Sequence, residues 1–339
     1  MKTRPSSQGV TDMFTISRSG FVRGVVASFG VALLCGAPAQ AETTLRFAHF
    51  SVEDDPNHRA ASELAEMVAA ATDGEVKIAI SPNSQLGGEV DVVEGILLGT
   101  IDMAPPSAAV LANWVPEMNV LNMPFVFRDW DHYQTVLNGQ IYDELSAAAA
   151  PKGLRLLGFM TSGPRHIMTS SAVNSMEDLA GRKIRTVQNP VHVATFNAFG
   201  ANATAIAYPE VYSALQSGVV DGADAANTNY FTAKFYEVAP FWAQVSWLFY
   251  TNPIVISEAK FQSFDAETQQ ALLEAGRKVG QTQQADWRTS DDKLLADLTA
   301  NGVTVTTPDP APFRAAAEAI YAEFLTTDEQ KRLMALITE

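Results

Sequence analysis

Apolar and polar positions alternate in short runs along this chain, and each run gives way to a helical repeat. Residues 45–50 (Leu-Arg-Phe-Ala-His-Phe) alternate and predict a first strand. Ala61, Leu64, Met67 and Val68 then recur at helical spacing within 57–72, where Asp73-Gly74 ends the repeat. Val76, Ile78 and Ile80 alternate as a second strand. Val92, Val93, Ile96 and Leu97 form the inward face of a helix over 89–98, and Gly99 closes it before a strand at 101–103. Strand following helix in this order predicts a parallel α/β domain.

The pattern then returns. Ser175-Met176-Glu177-Asp178 is a helix-start box ahead of a strand at 183–187. A helix over 191–199, a short strand at 204–207 and a helix over 209–217, with Pro209 in its first turn, come next. Gly218 leads into a strand at 219–221. The stretches 94–102 and 213–221 both read helix, capping glycine, two residues, aspartate, and mark equivalent corners of two similar lobes. Residues 265–300 run as one polar-rich helix with Asp265 as N-cap and Gly302 past its end, long enough to lie across both lobes. A strand at 303–306 and a helix over 312–324 complete the prediction.

No linker-like tract separates the lobes, which implies several crossovers and a hinge. The expected division is residues 1–41 as an export signal, 42–162 plus 251–290 as the first lobe, and 163–250 plus 291–339 as the second.

The first segment is set apart by its composition. Arg18 and Arg23 precede an uncharged apolar run at 24–37, followed by Ala39-Gln40-Ala41. This predicts a secretory signal cleaved after Ala41 and a periplasmic location. The run falls short of the roughly 20 residues a membrane helix needs. Leu34 ahead of Cys35 speaks against a lipid-anchored start. Cys35 is the only cysteine, so thiol catalysis, disulfides and thiolate metal sites are not expected in the exported part.

Charge narrows the partners. The chain has 23 Lys+Arg and 38 Asp+Glu; without Lys2, Arg4, Arg18, Arg23 and Asp12 this becomes 19 against 37, or −18. Such a surface repels nucleic acid and anionic lipid, and any anionic ligand must be held against it by local positive groups.

Catalytic signatures are missing. There is no G-x-S-x-G, no H-E-x-x-H and no phosphate loop. The five histidines lack ligand spacing, and the pairs Asp54-Asp55 and Asp291-Asp292 read as solvated charge. Residues 221–224 lack the alternating oxygen ligands of a calcium loop. Neither metal nor cofactor is expected.

Two arginines differ from the rest. Arg185 lies in the middle of a predicted strand, where an internal guanidinium needs a carboxylate. That carboxylate can be an internal Asp or Glu, or it can belong to a ligand gripped by the planar fork. Arg165 follows the strand predicted at 154–159, at a strand-end loop of the kind that lines α/β clefts. Among the aromatics clustered between 208 and 250, Tyr208, Trp242 and Trp247 are candidate pocket walls.

The motifs Pro82-x-x-Gln85-Leu86-Gly87, Gly99-x-x-Asp102-Met103, Met123-Pro124-Phe125, Lys183-Ile184-Arg185, Glu210-Val211-Tyr212-x-Ala214-Leu215-Gln216, Gly218-Val219-Val220-Asp221-Gly222 and Phe235-Tyr236-Glu237-Val238 occur in this order. As a set they resemble the DctP-type solute receptors of tripartite ATP-independent periplasmic (TRAP) transporters, over nearly the whole exported length. The resemblance implies a two-lobed α/β flytrap with crossing strands and a long lobe-spanning helix. It implies a ligand carboxylate clamped by Arg185, with help from Arg165, a wall at Tyr208 and a contact at Ser107. Many members place an asparagine where Ala225 stands here, so Asn227 is a candidate replacement.

The function expected is therefore capture of a small carboxylate-bearing organic acid by a monomer that hands it to the membrane permease subunits. The alternatives are a bilobal sensor that presents its ligand to a receptor, and a secreted α/β enzyme acting on an organic acid. Ala225 together with the aromatic residues suggests an acid with an apolar body rather than a sugar acid.

Overall fold

A computed structural model describes residues 42–338 of the chain. Its strands are β1 (Thr43–Ala48), β2 (Val76–Ser81), β3 (Met103–Ala104), β4 (Leu154–Pro164), β5 (His166–Thr169), β6 (Lys183–Thr186), β7 (Asn202–Ala205), β8 (Gly222–Ala225), β9 (Phe241–Ala243), β10 (Phe249–Ser257) and β11 (Thr304–Thr306). They form two sheets, in the orders β2-β1-β3-β10-β4 and β11-β9-β5-β8-β6-β7. In the first sheet β1 runs parallel to β2 and β3. In the second, β6 runs parallel to β7 and β8. The antiparallel strands come from the connections: β10 pairs with β3 and β4, and β5 pairs with β8 and β9. The fold is the expected two-lobed α/β arrangement, with each sheet mixed rather than purely parallel.

Each sheet carries apolar clusters. On the first, Val93, Ile96, Leu145 and Leu156 share one cluster, and Leu45, Leu64, Ile254 and Leu272 another. On the second, Ile184, Phe196, Phe199 and Phe313 pack together, and Met168, Ala223, Tyr230 and Trp242 form a further group.

The two glycine corners are equivalent in their bonding as well as in sequence. The Asp102 carboxylate accepts the backbone N–H of Arg46 at 2.8 Å, and the Asp221 carboxylate accepts that of Lys183 at 2.8 Å. Each aspartate thus ties its corner to the neighbouring parallel strand. The strand expected at 219–221 instead begins at Gly222, because Asp221 is spent on this tie and Val219 is exposed.

Three connections join the lobes. β4 runs into β5 through Arg165, and β9 returns to β10. These two crossings bond each other: Arg165 donates its N–H to Leu248 at 2.7 Å and accepts from Trp247 at 3.0 Å. The third is the helix Ala266–Ala300, N-capped by Asp265, whose carboxylate accepts Thr268 N–H at 2.8 Å. It lies so close to β4 that a Cβ on Gly280 would stand 2.5 Å from the Phe159 carbonyl oxygen. Further along, Gln284 donates to Phe159 and Gln283 both donates to and accepts from the backbone of Thr161. Beyond these, Asp291 accepts from the Thr228 backbone and hydroxyl, and Leu298 packs with Trp242.

The chain's end departs from the expected division. Helix Pro310–Phe324 contributes Phe313 to the second lobe and Ile320 to the first. A last helix, Asp328–Thr338, not foreseen in the sequence, buries Leu333, Met334 and Ile337 against first-lobe residues such as Leu145. Residues 291–339 therefore do not all lie with the second sheet. The expected export signal lies outside the described residues.

Candidate functional site

The crossing of β4 into β5 leaves Arg165 between the lobes, only 4% exposed. Its Nε donates to the Asp224 carboxylate at 2.9 Å and its Nη2 to the Asp224 carbonyl at 2.6 Å. Nη1 reaches the amide oxygen of Asn229 at 3.5 Å, and the guanidinium stands 4.6 Å over the Tyr250 ring. Asp224 is set by strand alternation. Ala223 and Ala225 point into the core with Met168 and Tyr230, so Asp224 points the other way, to Arg165. Burial pushes the Asp224 carboxyl up, but Arg165 and Arg185 outweigh it and hold the group below its ordinary range.

Arg185 sits in β6, between Thr204 of β7 and Ala223 of β8, and is 3% exposed. Its Nε donates to the Ile206 carbonyl at 2.8 Å. Among the described residues no carboxylate forms an ion pair with it; the one buried arginine pair nearby is Arg165 with Asp224. Burial lowers its pKa from arginine's ordinary value, against the more distant pull of Asp224, Tyr250 and Glu89.

The first lobe faces these arginines with carboxylates. Glu89 opens the helix Glu89–Leu98 and accepts Ser107 N–H at 2.5 Å. Burial pushes it up in pKa, while Ser107 and the two arginines pull it down. Glu89 also lines a small cavity with His49, Phe50 and Pro106. Asp55 is 1% exposed and caps the helix Pro56–Ala71 by accepting Asn57 N–H at 2.9 Å. Burial pushes its carboxyl up to about 6. Tyr208 meets Phe50 edge-on across the lobes, with ring centroids 5.3 Å apart.

Of the residues singled out in the sequence, Arg165, Arg185, Tyr208 and Ser107 come together here. Asn227, Trp242 and Trp247 do not. Asn227 donates to Asp291 and accepts from the Trp242 indole at 2.8 Å, so each saturates the other inside the second lobe. Trp242 stacks on Tyr230 at 4.1 Å, and Trp247 packs between His192 and Phe196. Ala225 is a core residue behind the sheet, which removes the basis for reading pocket chemistry from it. Asp55 and Asp291 are both buried, contrary to their reading as solvated charge.

Asp224, Glu89, Asp55, Asn229 and Tyr250 also stand at this place and are not among the site residues expected from the sequence. Asp224 carried a usable signal, a lone charge within an otherwise small, apolar strand. Asp55 carried another, an aspartate directly before Pro56 at a helix start. Glu89 carried none, since its bond to Ser107 joins residues 18 positions apart. Among the described residues no group of three His, Cys, Asp or Glu is placed to hold a metal, and no helix is long and apolar enough to cross a membrane.

The family model for DctP, the bacterial extracellular solute-binding protein family 7, matches residues 47–328. The chain belongs to the DctP family. This DctP protein is 35% identical over 290 residues to a solute-binding protein of Verminephrobacter eiseniae, covering 85% of this chain and 87% of that one. It is 33% identical over 268 residues to the 2,3-diketo-L-gulonate-binding periplasmic protein YiaO of Escherichia coli, with 79% and 82% covered. A crystal structure of a TRAP periplasmic solute-binding protein from Xanthobacter autotrophicus Py2, with bound β-D-galacturonate, superposes with a TM-score of 0.85 at 32% identity and covers 87% of this chain and 99% of the other. A TRAP protein of Roseobacter denitrificans with bound β-D-glucuronate gives 0.84 at 29% identity, with 87% and 99% covered. The DctP protein is accordingly a solute-binding receptor of the TRAP type and not an enzyme.

Proposed function

We propose that this receptor binds a hydroxylated monocarboxylate of uronate size between its lobes, with the carboxylate on Arg185. The observation that carries this reading is the buried Arg185 guanidinium, which has no ion-pair partner among the described residues. Burying an unpaired cation is costly, and a planar ligand carboxylate meeting the free edge of Arg185 offsets that cost. Arg165 is already neutralised by Asp224 and serves as the second donor.

The rest of the cleft favours hydroxyls over an apolar body. Glu89, Asp55, Asn229, Tyr208 and Tyr250 put carboxylate, amide and phenol groups around the two arginines, and an apolar ligand body would desolvate these groups without offering hydrogen bonds in return. The galacturonate and glucuronate of the similar structures fit this chemistry. The earlier expectation of an apolar acid is replaced.

The same reading has the lobes close on ligand, with the first lobe made of 42–162, 251–290 and the terminal helix, and the second of the remainder. It has the protein exported with cleavage after Ala41, acting as a monomer that delivers ligand to TRAP permease subunits. A thermal-shift screen of uronates, aldonates and apolar monocarboxylates tests the ligand class. Stabilisation by uronates or aldonates is expected; stabilisation by apolar acids alone overturns it. X-ray scattering with saturating ligand tests closure, which requires a smaller radius of gyration.

A further inference from the structure

We propose that Asn229 is a positioning residue that couples Arg165 to closure of the cleft by donating its amide across it to Asp55. This rests on the cleft being the ligand site. Asn229 lies on the second-lobe helix Asn227–Thr232 and is 2% exposed. Its Nδ2 donates to the Asp55 carboxylate at 3.2 Å, and its Oδ1 accepts from Arg165 at 3.5 Å. A carboxylate only accepts and a guanidinium only donates, so a single orientation of the amide serves both. The result is a chain from Asp55 through Asn229 and Arg165 to Asp224, running from one lobe to the other.

Each end of this chain is fixed by its own lobe. Asp55 is held by the N–H of Asn57, and Asp224 by its place in β8. The amide in the middle is the part that bridges them. Whatever orders Arg165 therefore orders Asn229 toward Asp55. The groups facing Asp55 are Arg59 on its own helix, the Ser51 hydroxyl, Tyr208 from the second lobe and Asn229 itself. None of these is a second carboxylate, so a carboxylate introduced at 229 would be the first.

The test uses D-galacturonate and D-glucuronate as probes. Asn229→Ala should weaken binding about tenfold, chiefly through faster dissociation, because closure loses a hydrogen bond to a charged group. Asn229→Asp should bind poorly at about pH 8 and recover toward wild type at about pH 5, as the new carboxyl and Asp55 come to share a proton. A side chain that only packs would show no such pH response. The proposal is overturned if Asn229→Ala binds within about twofold of wild type, or if the Asn229→Asp deficit is the same at both pH values. Should the wild-type protein bind neither uronate, the double variant Asp55→Cys/Asn229→Cys isolates the contact. The one native cysteine, Cys35, precedes the described residues. A short dithiol-reactive linker should then join the introduced pair within one chain and hold it compact without ligand. Failure to link overturns the contact, whereas linking without uronate binding places the fault with the ligand class.

Discussion

Asp224 gives Arg165 both its carboxylate, at 2.9 Å, and its backbone carbonyl, at 2.6 Å, and forms no ion pair with Arg185. The two buried arginines are therefore not equivalent. One is held within the chain, and the other keeps its outer guanidinium nitrogens available. On the proposed reading, this asymmetry makes Arg185 the anchor for the ligand carboxylate and Arg165 its support.

Replacing Arg185 by lysine should cost roughly 2–5 kcal/mol of ligand binding while the fold persists, since the charge remains and the two-pronged geometry does not. Calorimetry with the best-stabilising sugar acid measures it. Near-normal affinity in the lysine variant would remove Arg185 as the anchor.

Asp224→Ala should destabilise the ligand-free protein by roughly 3–5 kcal/mol, because it strands Arg165 as an unpaired buried cation. The loss should shrink on adding saturating uronate, whose carboxylate replaces part of the missing charge. Calorimetric melting with and without ligand gives both values.

Asp55 makes a signed prediction in pH. Its carboxyl is raised from an ordinary 3.8 to about 6 in the fold, so the fold favours the protonated form. Its contribution is most favourable below about pH 4 and is lost as pH rises to about 6. Asp55→Asn keeps the helix cap and removes the titration. The stability of the variant relative to wild type should therefore rise across that window, as read by denaturant titration at successive pH values. A constant difference would refute the raised carboxyl.

Gly280→Ala tests the close approach of the long helix to β4. Alanine favours a helix over glycine by about 1 kcal/mol, yet its Cβ would press on the Phe159 carbonyl. The steric term should win, with a net loss of about 1–3 kcal/mol in denaturant unfolding. A more stable variant would mean that the helix can lift off the strand.

Much of this architecture was legible because it is written in local chemistry. The glycine corners at 99 and 218 sit with capping geometry at a helix end, and the run from Asp265 was readable from its cap and length. Arg185 stood out because a charge inside a strand demands a partner wherever the strand lies. The misreadings share a different cause. Trp242 and Asn227 look like pocket residues until their mutual hydrogen bond is seen, and that bond joins β9 to the start of the helix Asn227–Thr232. Asp55 and Asp291 look solvated until tertiary packing covers them. Residue spacing carries periodicity, but which face a polar group meets after two lobes come together is a long-range property.

The long helix is pinned to the first lobe through Gly276, Gly280 and Gln284, and to the second from Asp291 onward. Within this helix, any swing of one lobe against the other falls on the roughly two turns between those anchors. Trp287 occupies that stretch, fully buried beside Gly163 of the crossing strand. That stretch of helix and the strand that delivers Arg165 thus share one packing contact, so a hinge there would act two residues from the arginine that holds Asp224.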